Sequence, residues 1–154
     1  MSEATVDAIL ISATASGEIQ SVGSARAITG RGLEGDRYVV NAGTFSEKPG
    51  TGRQVTLIEA EAIEAYVAEF GESLTTAEAR RNLVTRGVRL NDLVGREFNV
   101  GAVRILGCRL CEPCNHLVRL TGKPRTLTGL AGRGGLRAEI LSDGVIHVGD
   151  RITI

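Results

Sequence analysis

Tryptophan is absent from this 154-residue chain, and its aromatic residues are two tyrosines and three phenylalanines. So few flat side chains argue against the stacking platforms on which single-stranded nucleic acids are held. Cysteine is scarce too. There are three, an odd number, all between residues 108 and 114, which does not resemble a secreted disulfide framework. No apolar run approaches membrane-spanning length, and Met1 to Asp7 carries acids where a signal peptide needs bases. A reducing cytoplasm is the expected setting, with no membrane partner. Lysine is nearly missing: sixteen of the eighteen basic residues are arginine, which suits fork-like binding of phosphate or carboxylate.

What is present is unevenly distributed. The formal net charge is zero, yet residues 1–78 carry twelve acids against five bases, and residues 79–137 carry twelve bases against three acids. The second region is expected to meet an anion, and a small phosphorylated ligand fits better than a polynucleotide. The length is that of one domain, 1–154, able to bury a core without disulfide staples.

Alternating or continuous apolar runs predict strands at Val6–Ser12, Glu18–Val22, Ser24–Ile28, Arg53–Ile58, Leu83–Thr85 and Glu97–Val100, the last opening a hairpin with 101–106. Short strands are expected again at 137–141, 145–148 and 151–154, where His147 has a structural place. Ile63, Tyr66, Val67 and Phe70 repeat as one helix face that Gly71 stops, and Thr75-Thr76-Ala77-Glu78 has the form of a capping box ahead of Arg80 and Arg81. The polar stretch 41–52 reads as a loop or lid. Many short strands with one clear and one short helix predict a mainly β, α+β fold: a mostly antiparallel barrel with one or two peripheral helices.

The stretch Gly107 to His116 concentrates the chemistry. Cys108, Cys111, Cys114 and His116 form C-x-x-C-x-x-C-x-H, open to three readings: a metal or cluster site, small hydrophobes packed in a core, or a single reactive thiolate. Core packing suits Cys108, in phase with the preceding strand. For a reactive thiol Cys114, beside Pro113, comes first and Cys111 second. Elsewhere, Asp36 and Arg37 sit in a glycine-rich turn, as a turn-fixing pair or as ligand contacts. Gly129 to Arg137 combines four glycines with Arg133 and Arg137, an anion nest or a flexible turn.

Five segments in order resemble the MOSC domain, the module at the C-terminus of molybdenum cofactor sulfurases that also occurs as short stand-alone bacterial proteins. They are Gly32-Leu33-Glu34-Gly35-Asp36-Arg37-Tyr38, Arg53-Gln54-Val55-Thr56-Leu57-Ile58, Arg81-Asn82-Leu83-Val84, Pro113-Cys114 and Gly149-Asp150. The resemblance implies a barrel-like fold and a cysteine that carries sulfur or ligates the molybdenum of a pterin cofactor. That residue falls on Cys114, and the pattern does not require Cys108 or Cys111. Asp36, Arg37, Arg81, Asn82, Arg133 and Arg137 become the candidate cofactor-binding residues. Without an aminotransferase-like domain, no pyridoxal phosphate is expected. The implied function is molybdenum-dependent reduction of N-hydroxylated or N-oxygenated compounds, with electrons from a separate redox protein. The alternatives are a non-catalytic carrier of sulfur or cofactor, served by a sulfur-donor protein through a persulfide on Cys114, and a zinc-stabilised interaction module.

Overall fold

The structure, a computed structural model, describes residues 4–13, 17–36, 54–111, 115–123 and 125–154. Strands Thr5–Ile11 (β1), Gln20–Val22 (β2), Ser24–Ile28 (β3), Gly32–Leu33 (β4) and Val55–Glu59 (β5) lead into helices Ala60–Phe70 (α1) and Thr76–Ala79 (α2). Then come Leu83–Arg86 (β6), a 3-10 turn at Leu90–Leu93, Glu97–Val100 (β7) and Val103–Leu110 (β8). Helices Asn115–Thr121 (α3) and Thr126–Gly129 (α4) precede Leu136–Ile140 (β9), Gly144–His147 (β10) and Ile152–Thr153 (β11).

Eight strands form one curled half-barrel sheet in the order β11-β7-β8-β9-β5-β6-β1-β2, and β10-β3-β4 form a second, smaller sheet. Among the described strands only β5 and β6 pair in parallel. Parallel neighbours need a crossover connection, and the helical segment α1–α2 provides it. The fold is the mainly antiparallel α+β arrangement expected from the sequence.

Successive residues on the central strands enter different cores, because side chains alternate across a strand. Ile9, Leu57 and Leu83 point into the barrel with Leu33, Phe98, Ile105 and Leu136, whereas Leu10, Ile58 and Val84 meet Ile63, Tyr66, Leu117 and Leu130 of the helical layer. Each such side chain, fully buried, contributes about 1.5–3 kcal/mol. Two-sided burial explains why four successive residues of β5, Val55 to Ile58, are all buried. The buried stripe of α1 is Ala60, Ile63 and Tyr66, while Val67 is 38% exposed. Val67 was expected inward, but it lies at the margin of the stripe. Gly71 ends α1 in the left-handed conformation, its N–H donating to Val67 O at 3.0 Å. The capping box is present: Thr75 Oγ1 accepts from the Glu78 N–H at 3.1 Å, and Glu78 Oε1 from the Thr75 N–H at 3.0 Å.

α3 and α4 depart from the sequence expectation, which had only one clear and one short helix. Each is shorter than the window in which helical periodicity can be read. They are held by the rest of the layer: Leu117 and Leu130 pack in the second core, and Gly129 lies so close to the Tyr66 and Phe70 rings that a Cβ there would overlap both.

Candidate functional site

β8 delivers the cysteine segment, and it does so through a β-bulge. Gly107 is opposite Ala138 on β9, yet Arg109 is opposite Arg137, so Cys108 is the extra residue. A bulge breaks the alternation on which the inward placement of Cys108 was expected. Cys108 is half-buried, its Sγ 3.5 Å from Leu106 O, and Cys111 is the buried thiol at 2% exposure. Such burial denies its sulfur the access that ligation or nucleophilic attack requires. Cys114, the first candidate, lies outside the described residues, as do Pro113, Arg37 and the stretch 41–52. Among the described residues, no group of three or more His, Cys, Asp or Glu could hold a metal ion.

The main chain at Cys111 is held on both sides. Its N–H donates to Gly135 O at 2.8 Å, and its C=O accepts from Arg81 Nη2 at 3.1 Å. Arg81 also donates through Nε to Gly134 O at 2.9 Å and through Nη1 to Ala79 O at 3.3 Å. Carbonyls satisfy the guanidinium without neutralising it, so a full positive charge sits at the root of the cysteine segment. Gly135 permits this geometry: its φ is +116° and a Cβ would overlap Leu57 O.

Asn82, 2% exposed, ties three strands together. Its Oδ1 accepts from Thr56 N–H at 3.0 Å and Thr56 Oγ1 at 3.2 Å, and its Nδ2 donates to Leu10 O at 3.1 Å. These bonds occupy the amide inside the fold, where it fixes the backbone that carries Arg81. Asp36 is equally buried, and its Oδ1 accepts from the Ser12 N–H at 2.9 Å, pinning the β4 turn to the end of β1.

Arg137, half-buried on β9, is opposite Thr56 of β5 on one side and Arg109 of β8 on the other. Arg81, Asn82, Arg137 and Cys111 are thus brought together around the β5–β9–β8 seam. Arg133 is directed elsewhere. Its Nε donates to Gly129 O at 2.6 Å and its Nη2 to Glu69 of α1 at 2.9 Å, which holds the Glu69 carboxyl below its ordinary range.

A recess of about 360 Å³ opens between the β1–β2 connection and the ends of α2 and α3, lined by Gly17, Ile19, Glu78, Arg80, Leu120 and Thr121 among others. Arg80 caps α2 with φ +56° and donates through Nη2 to Gly17 O at 3.0 Å. Backbone held in this region by a non-glycine residue marks places where surrounding structure imposes a conformation. Beneath it, Glu78 pairs with Lys123 at 2.9 Å. Burial acts to raise the Glu78 carboxyl, but the Lys123 ammonium and the Thr75 N–H together bring it below its ordinary value. The sequence reading placed Arg80 beside Arg81 on the short helix but chose only Arg81 as a site residue. Only the left-handed cap separates the two, sending one side chain to the recess and the other to the cysteine segment.

These features define a half-barrel protein whose cysteine segment leaves the sheet beside Arg81, a guanidinium bonded to backbone carbonyls. The chain belongs to the MOSC domain family, whose family model matches residues 41–153, and that family is associated with molybdenum cofactor binding. Its fold is similar to that of the YuaD protein from Bacillus subtilis, at 18% identity and a TM-score of 0.80, over 98% of this chain and 94% of that one. It is also similar to YiiM from Geobacillus stearothermophilus (14% identity, TM-score 0.75, 97% and 74% covered) and YiiM from Escherichia coli (19%, 0.69, 99% and 69%). No curated protein matches the sequence significantly. No described helix is long and apolar enough to cross a membrane.

Proposed function

We propose that this protein binds the molybdenum cofactor with the Cys114 thiolate as metal ligand and reduces N-oxygenated compounds. The observation that carries the reading is the clamp on Cys111, by which Arg81 and Gly135 hold the main chain three residues before Cys114. The residues present fit the group. A thiolate is a soft ligand suited to such a metal, and Arg81, whose described bonds go to carbonyls, offers the positive charge that suits a phosphate.

When bound, the cofactor would supply the two-electron chemistry that removes an oxygen atom from an N–O bond. The chain's own residues would do the rest. The Arg81 charge favours the ionised form of a nearby thiol. Arg81 and Arg137 would orient the anionic ligand, with Arg37 completing the set from the sequence motif. Asn82 and Asp36 would act by positioning, since their polar atoms are engaged with backbone groups. Electrons would come from a separate redox protein.

The test is metal analysis of protein purified from cofactor-producing cells, together with an assay of hydroxylamino-base reduction. Molybdenum and activity present in the wild type and lost in Cys114→Ala are the expected result. Equal molybdenum in the variant would remove Cys114 as ligand. Cyanide-releasable sulfur without reductase activity would point to the carrier function instead.

A further inference from the structure

The glycine-rich segment 129–135 supplies two of the carbonyls that hold the cysteine segment: Gly134 O accepts from Arg81 Nε at 2.9 Å and Gly135 O from the Cys111 N–H at 2.8 Å. Four of its seven residues are glycine, the residue with the most conformational freedom to lose on ordering. Its start is tied to α1 through Arg133 and Glu69. Its middle is tied to the 3-10 turn. Asn91 Nδ2 donates to Gly132 O at 2.8 Å, across 41 positions of the chain.

The turn that carries Asn91 is itself well anchored. With about three residues per turn, Leu90 and Leu93 fall on one side, both fully buried in the barrel core, and Asn91 is left exposed. Two acids at the start of α1 hold the chain that enters the turn: Glu59 Oε2 accepts from the Leu90 N–H at 3.2 Å and Glu61 Oε2 from the Gly87 N–H at 2.8 Å. On leaving the turn, the chain clasps Gly107, the residue before the Cys108 bulge. The Gly95 N–H donates to Gly107 O at 2.8 Å, the Gly107 N–H donates to Arg96 O at 2.9 Å, and a Cβ at position 107 would overlap Leu93 O. One anchored turn therefore meets the frame of the cysteine segment twice, at β8 before it and, through Asn91, at the glycines that grip it.

We propose that Asn91 is a positioning residue for the cysteine segment. Its bond to Gly132 restricts the glycine segment to the conformation in which Gly134 and Gly135 present their carbonyls to Arg81 and Cys111. That the segment so held serves a metal site rests on the function proposed above. The positioning itself does not.

The test is amide hydrogen exchange, with the Cys111 amide as reporter and the amides of the β5–β6 pair as the reference for global opening. Asn91→Ala, at an exposed side chain, is expected to fold and to speed Cys111 exchange about fivefold, the effect of one hydrogen bond, with the β5–β6 amides unchanged. Asn91→Asp keeps the shape but presents a carboxylate to Gly132 O, and should speed exchange at least as much at pH 7. Below about pH 4, where an ordinary aspartate gains its proton, the new O–H can donate to Gly132 O. Cys111 protection in Asn91→Asp should then return to the wild-type value at that pH, whereas in Asn91→Ala it should not. Asp92→Ala, one residue along the turn, should exchange as wild type does. Wild-type Cys111 protection in Asn91→Ala, an equal loss at the β5–β6 amides, or no recovery of Asn91→Asp in acid would overturn the assignment. Molybdenum absent from the wild type, with Cys111 exchange still faster in Asn91→Ala, would defeat the proposed function and leave the positioning role standing.

Discussion

Around α1 and along the β1–β6 edge, the basic part of the chain answers the acidic part with ion pairs; at the root of the cysteine segment, Arg81 is answered by backbone carbonyls instead. Arg86 with Asp7 and Glu64, Lys123 with Glu78, Arg125 with Glu72 and Arg133 with Glu69 are all pairs between residues 79–137 and residues 1–78. Much of the positive excess of the second region is therefore cancelled by folding. At the root of the cysteine segment, Arg81 is bonded to the carbonyls of Ala79, Cys111 and Gly134. The lesson is that a local charge excess locates a ligand only after the tertiary ion pairs have been subtracted.

The comparison is broken most severely at Asn82, which holds the seam in place. Asn82→Leu strands the Thr56 N–H and the Leu10 carbonyl in a buried site, at about 1–3 kcal/mol for each group. Its unfolding free energy should fall by about 3–5 kcal/mol in urea denaturation. Arg81→Ala should have the next largest effect, removing donors from Cys111, Gly134 and Ala79 carbonyls at a total of about 1–3 kcal/mol. It should also shift the pH profile of Cys114 alkylation upward, read in a Cys108→Ser background. Arg81→Lys should keep the charge effect on that profile while failing to restore the three-carbonyl clamp, which separates electrostatics from geometry.

On the helical side, Thr75→Ala removes one half of the capping box and should cost about 1 kcal/mol, measurable as a lower midpoint at unchanged slope. The mildest effect concerns pH. Hydrogen bonds from Arg86 and Arg133 hold the Glu64 and Glu69 carboxyls below their ordinary value of 4.5. A carboxyl that titrates lower when folded contributes stability that is complete above its unfolded value and is lost as pH falls through its folded one. Glu64→Gln and Glu69→Gln should therefore flatten the acid limb of the stability profile below about 4.5 and change little at pH 7. Both groups are exposed, so salt should shrink the difference.

Sequence reasoning reached the strands, the capping box, the α1 stop and the antiparallel class because each depends on neighbours along the chain. It missed α3 and α4, which are too short to show a period and are stabilised by Leu117, Leu130 and the close approach of Gly129 to Tyr66. It put Cys108 inward because the bulge that displaces it is a relation between β8 and β9. Asn82 and Asp36 were chosen as cofactor contacts, and the structure adds that both are engaged by backbone groups of distant strands. Arg133 was drawn into the site by its glycine-rich surroundings, yet its acid partner lies on α1.

The amino-acid sequence alone determined the β-rich class, the concentration of thiols in one segment and the family motifs, since composition, alternation and spacing are written along one dimension. Only the tertiary structure decided what each arginine meets: Arg81 turned toward carbonyls, Arg133 toward Glu69, and Arg86 toward Asp7 and Glu64. The physical reason is that charge neutralisation depends on distance in space, and strand register sets that distance between residues far apart in the chain.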